Sequence, residues 1–171
     1  LMRILVDEND YDWEEAWDIT CRTLSYTNHT VMAEALERWS VDLFREQLPR
    51  IYSITAEINR RLMIDLQKVY PGDWGKLNYM AVIADNQVRM ANLCLACCHK
   101  INGVSSLHTQ ILEQGIFRDY YVLDNDRFTN VTNGIAYRRW LCQSNPGHTR
   151  KHPALNGAGD RKAAPDRAQR M

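Results

Sequence analysis

The stretch NQVRMANLCLACCHKINGVSS, residues 86–106, decides the fold, because helix and strand compete inside it. Val88, Ala91, Leu95 and Cys98 are spaced three or four apart and make one face of a helix, whereas LCLACC by itself suits a buried strand equally well. The spacing favours a helix to about Cys98, then a short strand near Lys100–Val104, then a helix from Ser106 to Glu113 closed by Gly115. The residues so read are mostly helical with one or two short strands.

Upstream, Ile51, Ile54, Ile58, Leu62, Leu66 and Val69 step by three or four through residues 51–70, the most regular pattern in the chain. Such a helix is roughly 30 Å long at about 1.5 Å per residue. It carries Glu57, Arg60, Arg61, Asp65 and Lys68 on its other face and stops at Pro71-Gly72. Asp12 is placed to cap a helix from Trp13 to about Leu24, with Glu15 able to reach back. SYTNHT, residues 25–30, reads as a loop, since short polar side chains bond their own backbone. A short helix is predicted at about Ala33–Trp39, and IFRDYYVLDNDRF, residues 116–128, reads as irregular. No internal repeat is present.

The 171 residues suffice for one domain with a core, and 45% are hydrophobic, which separates the chain from disordered sequences. Lys plus Arg and Asp plus Glu both number 21, so no overall field draws in nucleic acid or an anionic membrane. The balance is uneven: residues 149–171 carry six basic residues against two aspartates, a tail of +4 on a body of −4. Five cysteines in apolar surroundings read as reduced thiols of an intracellular protein. No apolar run approaches the roughly 18 residues needed to cross a bilayer, and no secretory leader is visible, so the expected location is the cytoplasm. The chain opens on LMRILVD, which reads as the middle or end of an element with something preceding it.

Cys94, Cys97, Cys98 and His99 invite a zinc reading, but on a helix Cys97 and Cys98 point about 100° apart and no second Cys-x-x-Cys pair exists. Small thiols filling a core, with no metal, is the reading adopted. His29 is set apart by its polar loop, flanked by Asn28 and Thr30, while His108 inside a helix reads as structural. Gly-x-Ser-x-Gly, the Walker loop and Gly-x-Gly-x-x-Gly are absent. Asn133-Gly134 permits a tight turn whose amide both donates and accepts, and Trp140 offers a flat wall for a ring, features that suit a polar small-molecule pocket. A solvent-side turn followed by a helix start is the competing reading. Arg138 and Arg139 are too few to form a nucleic-acid groove.

Four strings carry a resemblance: YTNHTVMAEALERW at 26–39, LPRIYSITAEINRR at 48–61, RMANLCLACCHKINGVSSLHTQIL at 89–112 and FTNVTNGIAYRRWLCQSNPG at 128–147. In order and separation they resemble the glycogen/α-glucan phosphorylase family. The resemblance implies an α/β fold, this chain being a mostly helical fragment of a two-domain, Rossmann-like glycosyltransferase of the GT-B type, with the active site in the cleft between domains. It implies phosphorolysis of the terminal α-1,4-linked glucose of glycogen, starch or maltodextrin to glucose 1-phosphate, with retention. The implied cofactor is pyridoxal phosphate on a lysine, its phosphate group taking part in proton transfer. The implied partners are the α-1,4-glucan and inorganic phosphate, with a homodimer as the intact assembly and neither nucleic acid nor membrane.

By the same resemblance His29 meets hydroxyls of the glucosyl unit, Asn133 binds its hydroxymethyl oxygen, Val104 lines that pocket, and Trp140 packs by the cofactor. Ala136-Tyr137 stand where the family commonly has Thr-Pro. The expected division is 1–133 as the last part of the family's N-terminal domain, 134–147 as the start of its C-terminal domain, and 148–171 as a non-family, disordered tail. A reading-frame change at about His148 would account for that tail. The cofactor's lysine and the residues that hold substrate phosphate are absent from this chain, so the chain alone is expected to be inactive, without measurable glucan affinity and prone to self-association through the 51–69 stripe. A helical interaction module or a carbohydrate-binding remnant is the alternative.

Overall fold

Helix α1, Trp13–Thr23, begins at Asp12, which stays extended while its side chain accepts from the Glu15 N–H at 2.8 Å, one of the donors a first turn cannot satisfy itself. The computed structural model describes residues 1–136 and 138–147, and the chain divides into two units, Leu1–Thr132 and Asn133–Met171. The expected tail, 148–171, lies outside the described residues.

In the first unit a π-helical turn, Ile4–Glu8, precedes α1. Strand β1, Ser25–Thr27, follows where the loop was expected. The helix expected at Ala33–Trp39 is a single 3-10 turn, Ala33–Ala35, followed by strand β2, Arg38–Ser40. Helix α2, Val41–Gln47, is capped by the Ser40 hydroxyl. Helix α3, Pro49–Val69, has proline at its first position, where a missing N–H costs nothing. Its C-terminal turn leads to Gly72 at φ 81.

Helix α4, Trp74–Met80, and the hairpin of β3, Ile83–Ala84, and β4, Gln87–Arg89, come next. Asp85 and Asn86 both have positive φ, as a two-residue I′ turn requires. Val88 therefore belongs to β4, and helix α5 covers only Met90–Cys97. Strand β5, Lys100–Gly103, and helix α6, Ser106–Gln114, closed at Gly115, match the reading from the sequence. The segment read as irregular contains helix α7, Arg118–Leu123, a 3-10 turn and strand β6, Phe128–Asn130.

Among the described residues two three-stranded sheets result, a parallel one in the order β1-β5-β6 and an antiparallel one in the order β2-β4-β3. Parallel neighbours need a crossover, and α6 with α7 supplies it between β5 and β6. The architecture is thus mostly helical α/β.

Helix α3 runs through three apolar clusters. Leu66 packs with Leu77, Met80, Leu95, Leu112 and Phe117; Ile54 and Ile58 pack with Met2 and Ala16; Ile51 lies against Phe44 and Val88. The stripe expected to lie open is therefore covered by elements of this same chain, except at its end, where Val69 is 54% exposed. Asn59, on the same helix, accepts from the N–H groups of Val82 and Ile83 at 2.9 and 3.0 Å, holding the hairpin to α3.

Candidate functional site

Strands β1 and β5 run in parallel with Thr27 beside Asn102, so the loops leaving their C-terminal ends start from neighbouring points. That edge of an open α/β sheet is where ligands bind, because the loops there diverge around a crevice. The first loop carries His29 and the second carries Val104.

Asn28 fixes the first loop. It is 2% exposed, its N–H donates to the Asn102 carbonyl at 2.9 Å, and its amide donates to the Tyr26 hydroxyl and accepts from the Thr30 N–H. The Thr30 hydroxyl in turn accepts from the Met32 N–H at 3.1 Å. With both neighbours anchored, the His29 imidazole is exposed and makes no hydrogen bond among the described residues. It offers a donor and an acceptor to a ligand without first breaking a contact.

The second loop is equally constrained. The half-buried Val104 donates its N–H to His108 Nδ1 at 3.1 Å, which leaves the ring proton on Nε2. Ser105 caps α6 by accepting from the His108 N–H, and the positive end of that helix starts at this edge. Gly103 is required where β5 meets α6, since a Cβ there would lie 2.5 Å from Thr109 Oγ1 and 2.9 Å from the Thr109 backbone.

Sequence reasoning missed the polar groups that join the strand ends. The Thr27 hydroxyl donates to Asn102 Oδ1 at 2.8 Å, and the Thr109 hydroxyl, 2.9 Å from the Ser105 carbonyl, is 3.3 Å from Asn130 Oδ1. A sequence signal existed only for Ser105, a cap residue before a helix. The others depend on register.

In the second unit Asn133 is exposed, and Trp140 lies in a π-helical turn, Arg138–Gln143, at 55% exposure with the Arg139 guanidinium 5.2 Å from its ring centroid. Tyr137 lies outside the described residues. The structure brings His29 and Val104 to one edge within the first unit, while Asn133 and Trp140 belong to the second.

In the first unit Cys21, Cys94 and Cys97 are half-buried. Cys98 is buried with its sulfur 3.8 Å from that of Cys97, and His99 Nδ1 is 2.7 Å from the Leu24 carbonyl, which occupies that nitrogen. The hydrogen bond shared with Cys94 favours the Cys98 thiolate, but Cys97 and burial outweigh it and push the thiol up to about 12.

The carbohydrate phosphorylase family model matches residues 1–154. The chain belongs to the carbohydrate phosphorylase family. It is 50% identical over 147 residues to glycogen phosphorylase of Bacillus subtilis (strain 168) and 49% identical over 150 residues to the muscle form of human glycogen phosphorylase. The rat brain form is 47% identical over 150 residues. In each case 86% of this chain is covered, and the chain spans 18% of the length of the relative.

Proposed function

We propose that this chain carries the glucosyl-binding loops of an α-glucan phosphorylase, which cleaves the terminal α-1,4-linked glucose of glycogen, starch or maltodextrin with inorganic phosphate to give glucose 1-phosphate with retention. The observation that carries the reading is the edge of β1 and β5, where the loop bearing His29, exposed and without a hydrogen bond among the described residues, starts next to the loop bearing Val104 in a member of this family. The small parallel sheet with its crossover helices supports a place within a two-domain, Rossmann-like architecture of the GT-B type. A homodimer in the cytoplasm is the corresponding assembly.

A sugar gives up hydrogen bonds to water when it binds, and each hydroxyl left unmatched costs about 1–3 kcal/mol. In this reading His29 exchanges hydrogen bonds with hydroxyls of the glucosyl unit and Val104 walls the pocket. Asn133 supplies donor and acceptor to the hydroxymethyl oxygen, and the Trp140 indole packs by the cofactor.

Pyridoxal phosphate supplies proton transfer through its phosphate in such an enzyme, but the described lysines do not fit its Schiff-base linkage. Lys68 pairs with Asp65 at 2.7 Å, Lys76 lies 3.7 Å from Asp119 and over the Tyr70 ring, and Lys100 donates to the Asp126 carbonyl at 2.7 Å. None of these lysines is placed as a Schiff-base anchor, so no step of the reaction runs through the cofactor on this chain. Without preorganised charge on the transferring groups, the chain alone supplies no transition-state stabilisation.

The test is glucose 1-phosphate release from maltoheptaose, with pyridoxal phosphate present, by this chain and by a polypeptide that joins it to the remaining length found in its relatives. Activity is expected only from the longer protein, with His29→Ala lowering kcat/KM by about tenfold or more at unchanged melting temperature. Release by the chain alone, or full activity in His29→Ala, would overturn the reading.

A further inference from the structure

A second pocket, of about 330 Å³, lies among Arg38 on β2, Asn78 and Tyr79 on α4, Asp85 in the hairpin turn, Arg89 on β4, and the connection between α6 and α7. None of the residues assigned to sugar binding lines it, and its chemistry is independent of that assignment.

Arg38 and Arg89 are direct partners in the antiparallel β2–β4 ladder. Like charges directly opposite one another destabilise a strand pair, and a guanidinium cannot relieve the repulsion by losing its proton. Their surroundings only half compensate. Arg89, 11% exposed, pairs with Asp85 and donates to the carbonyls of Asn78 and Tyr79 at 2.6 and 3.2 Å. Its Nε–H is nevertheless buried without an acceptor among the described residues. Arg38 meets only the neutral Gln87 amide oxygen, at 3.4 Å, among the described residues. Burial raises the Tyr79 hydroxyl, Asp119 adds to that, and both arginines oppose it, so the two cations act on one side chain of the pocket wall. A pocket whose lining holds two permanent cations, one carboxylate and an orphaned guanidinium N–H is short of one negative charge.

We propose that this pocket binds a small oxyanion, a phosphate or carboxylate group, held between the guanidinium groups of Arg38 and Arg89. The planar fork of arginine matches the paired oxygens of either group, and charge-assisted bonds of this kind are the strong ones. An oxyanion there turns a repulsive cross-strand pair into a bridge between β2 and β4.

Thermal unfolding of the full chain, titrated with inorganic phosphate and separately with acetate at ionic strength held constant by sodium chloride, tests this. At least one titration is expected to raise the melting temperature saturably. A response to phosphate alone assigns a phosphate-bearing ligand, and a response to acetate assigns a carboxylate. Arg38→Gln is expected to weaken the apparent affinity at least about tenfold, as loss of one charge-assisted hydrogen bond implies, and to melt at or above the unmodified chain in chloride alone. Arg38→Lys, which keeps the charge but not the fork, is expected to bind several-fold more weakly than the unmodified chain. No saturable rise with either anion, or the same rise in both variants, overturns the proposal.

Discussion

The Asn28 N–H donates to the Asn102 carbonyl at 2.9 Å, so the residue before His29 and the strand before Val104 form one hydrogen-bonded unit. Rigidity at this edge is built by Asn28, not by His29, and the two positions should separate in experiment.

Asn28→Ala leaves the Tyr26 hydroxyl and the Thr30 N–H without their partner in a buried position. A loss of about 1–3 kcal/mol in urea unfolding is expected. His29→Ala, at an exposed position with no hydrogen bond among the described residues, should change stability by less than about 0.5 kcal/mol.

Gly103→Ala places a methyl 2.5 Å from Thr109 Oγ1 and 2.9 Å from the Thr109 backbone, and backbone cannot step aside cheaply. Overpacking of about 1–3 kcal/mol or more is expected, read as a lowered melting temperature. Thr109→Ser keeps the backbone contact and should not rescue it.

Leu66 is 2% exposed at the centre of the largest apolar cluster. Leu66→Ala should cost about 2–5 kcal/mol in urea unfolding, the sum of lost transfer energy and a residual cavity.

Acid should loosen the face of α3. Hydrogen bonds from Arg60 and then Arg61 hold the Glu57 carboxyl down at about 2 from an ordinary 4.5. Arg50 likewise lowers Asp7. A carboxylate lowered by folding stabilises fully above its unfolded value, and that contribution is lost as pH falls through the folded value. The urea midpoint should therefore fall between about pH 4.5 and about pH 2, and Glu57→Gln should flatten that slope. Added salt should shrink the effect, because these pairs face solvent.

The thiols give the opposite sign. Burial raises Cys21 from 9.0 to about 11, and Cys98 stands at about 12. At about pH 8 the thiolate fraction of Cys21 is about a hundredfold below that of an ordinary thiol, so alkylation by iodoacetamide should be correspondingly slow until the chain is unfolded. Stability from these groups is complete below about pH 9 and is lost as pH rises through the folded values.

What the sequence by itself determined is what local physics encodes. The 3.6-residue stripe of α3, the Asp12 cap of α1 and the extent of α6, capped by Ser105 and closed by Gly115, are all decided within a few residues of where they occur. Family membership was legible for the same reason, since long motifs such as TNHT and RMANLC survive as contiguous strings. The tertiary structure alone decided β1, β2 and β6. These are three-residue strands in polar or mixed surroundings, and Tyr26 and Phe128 are extended because both pair with Ile101, 75 and 27 positions away in the chain. Only the tertiary structure, too, faced Arg38 with Arg89, and only it set Thr27 and Asn102 side by side beneath the His29 loop. Backbone hydrogen bonds between distant segments, unlike caps and periodic faces, leave no mark on the residues between them.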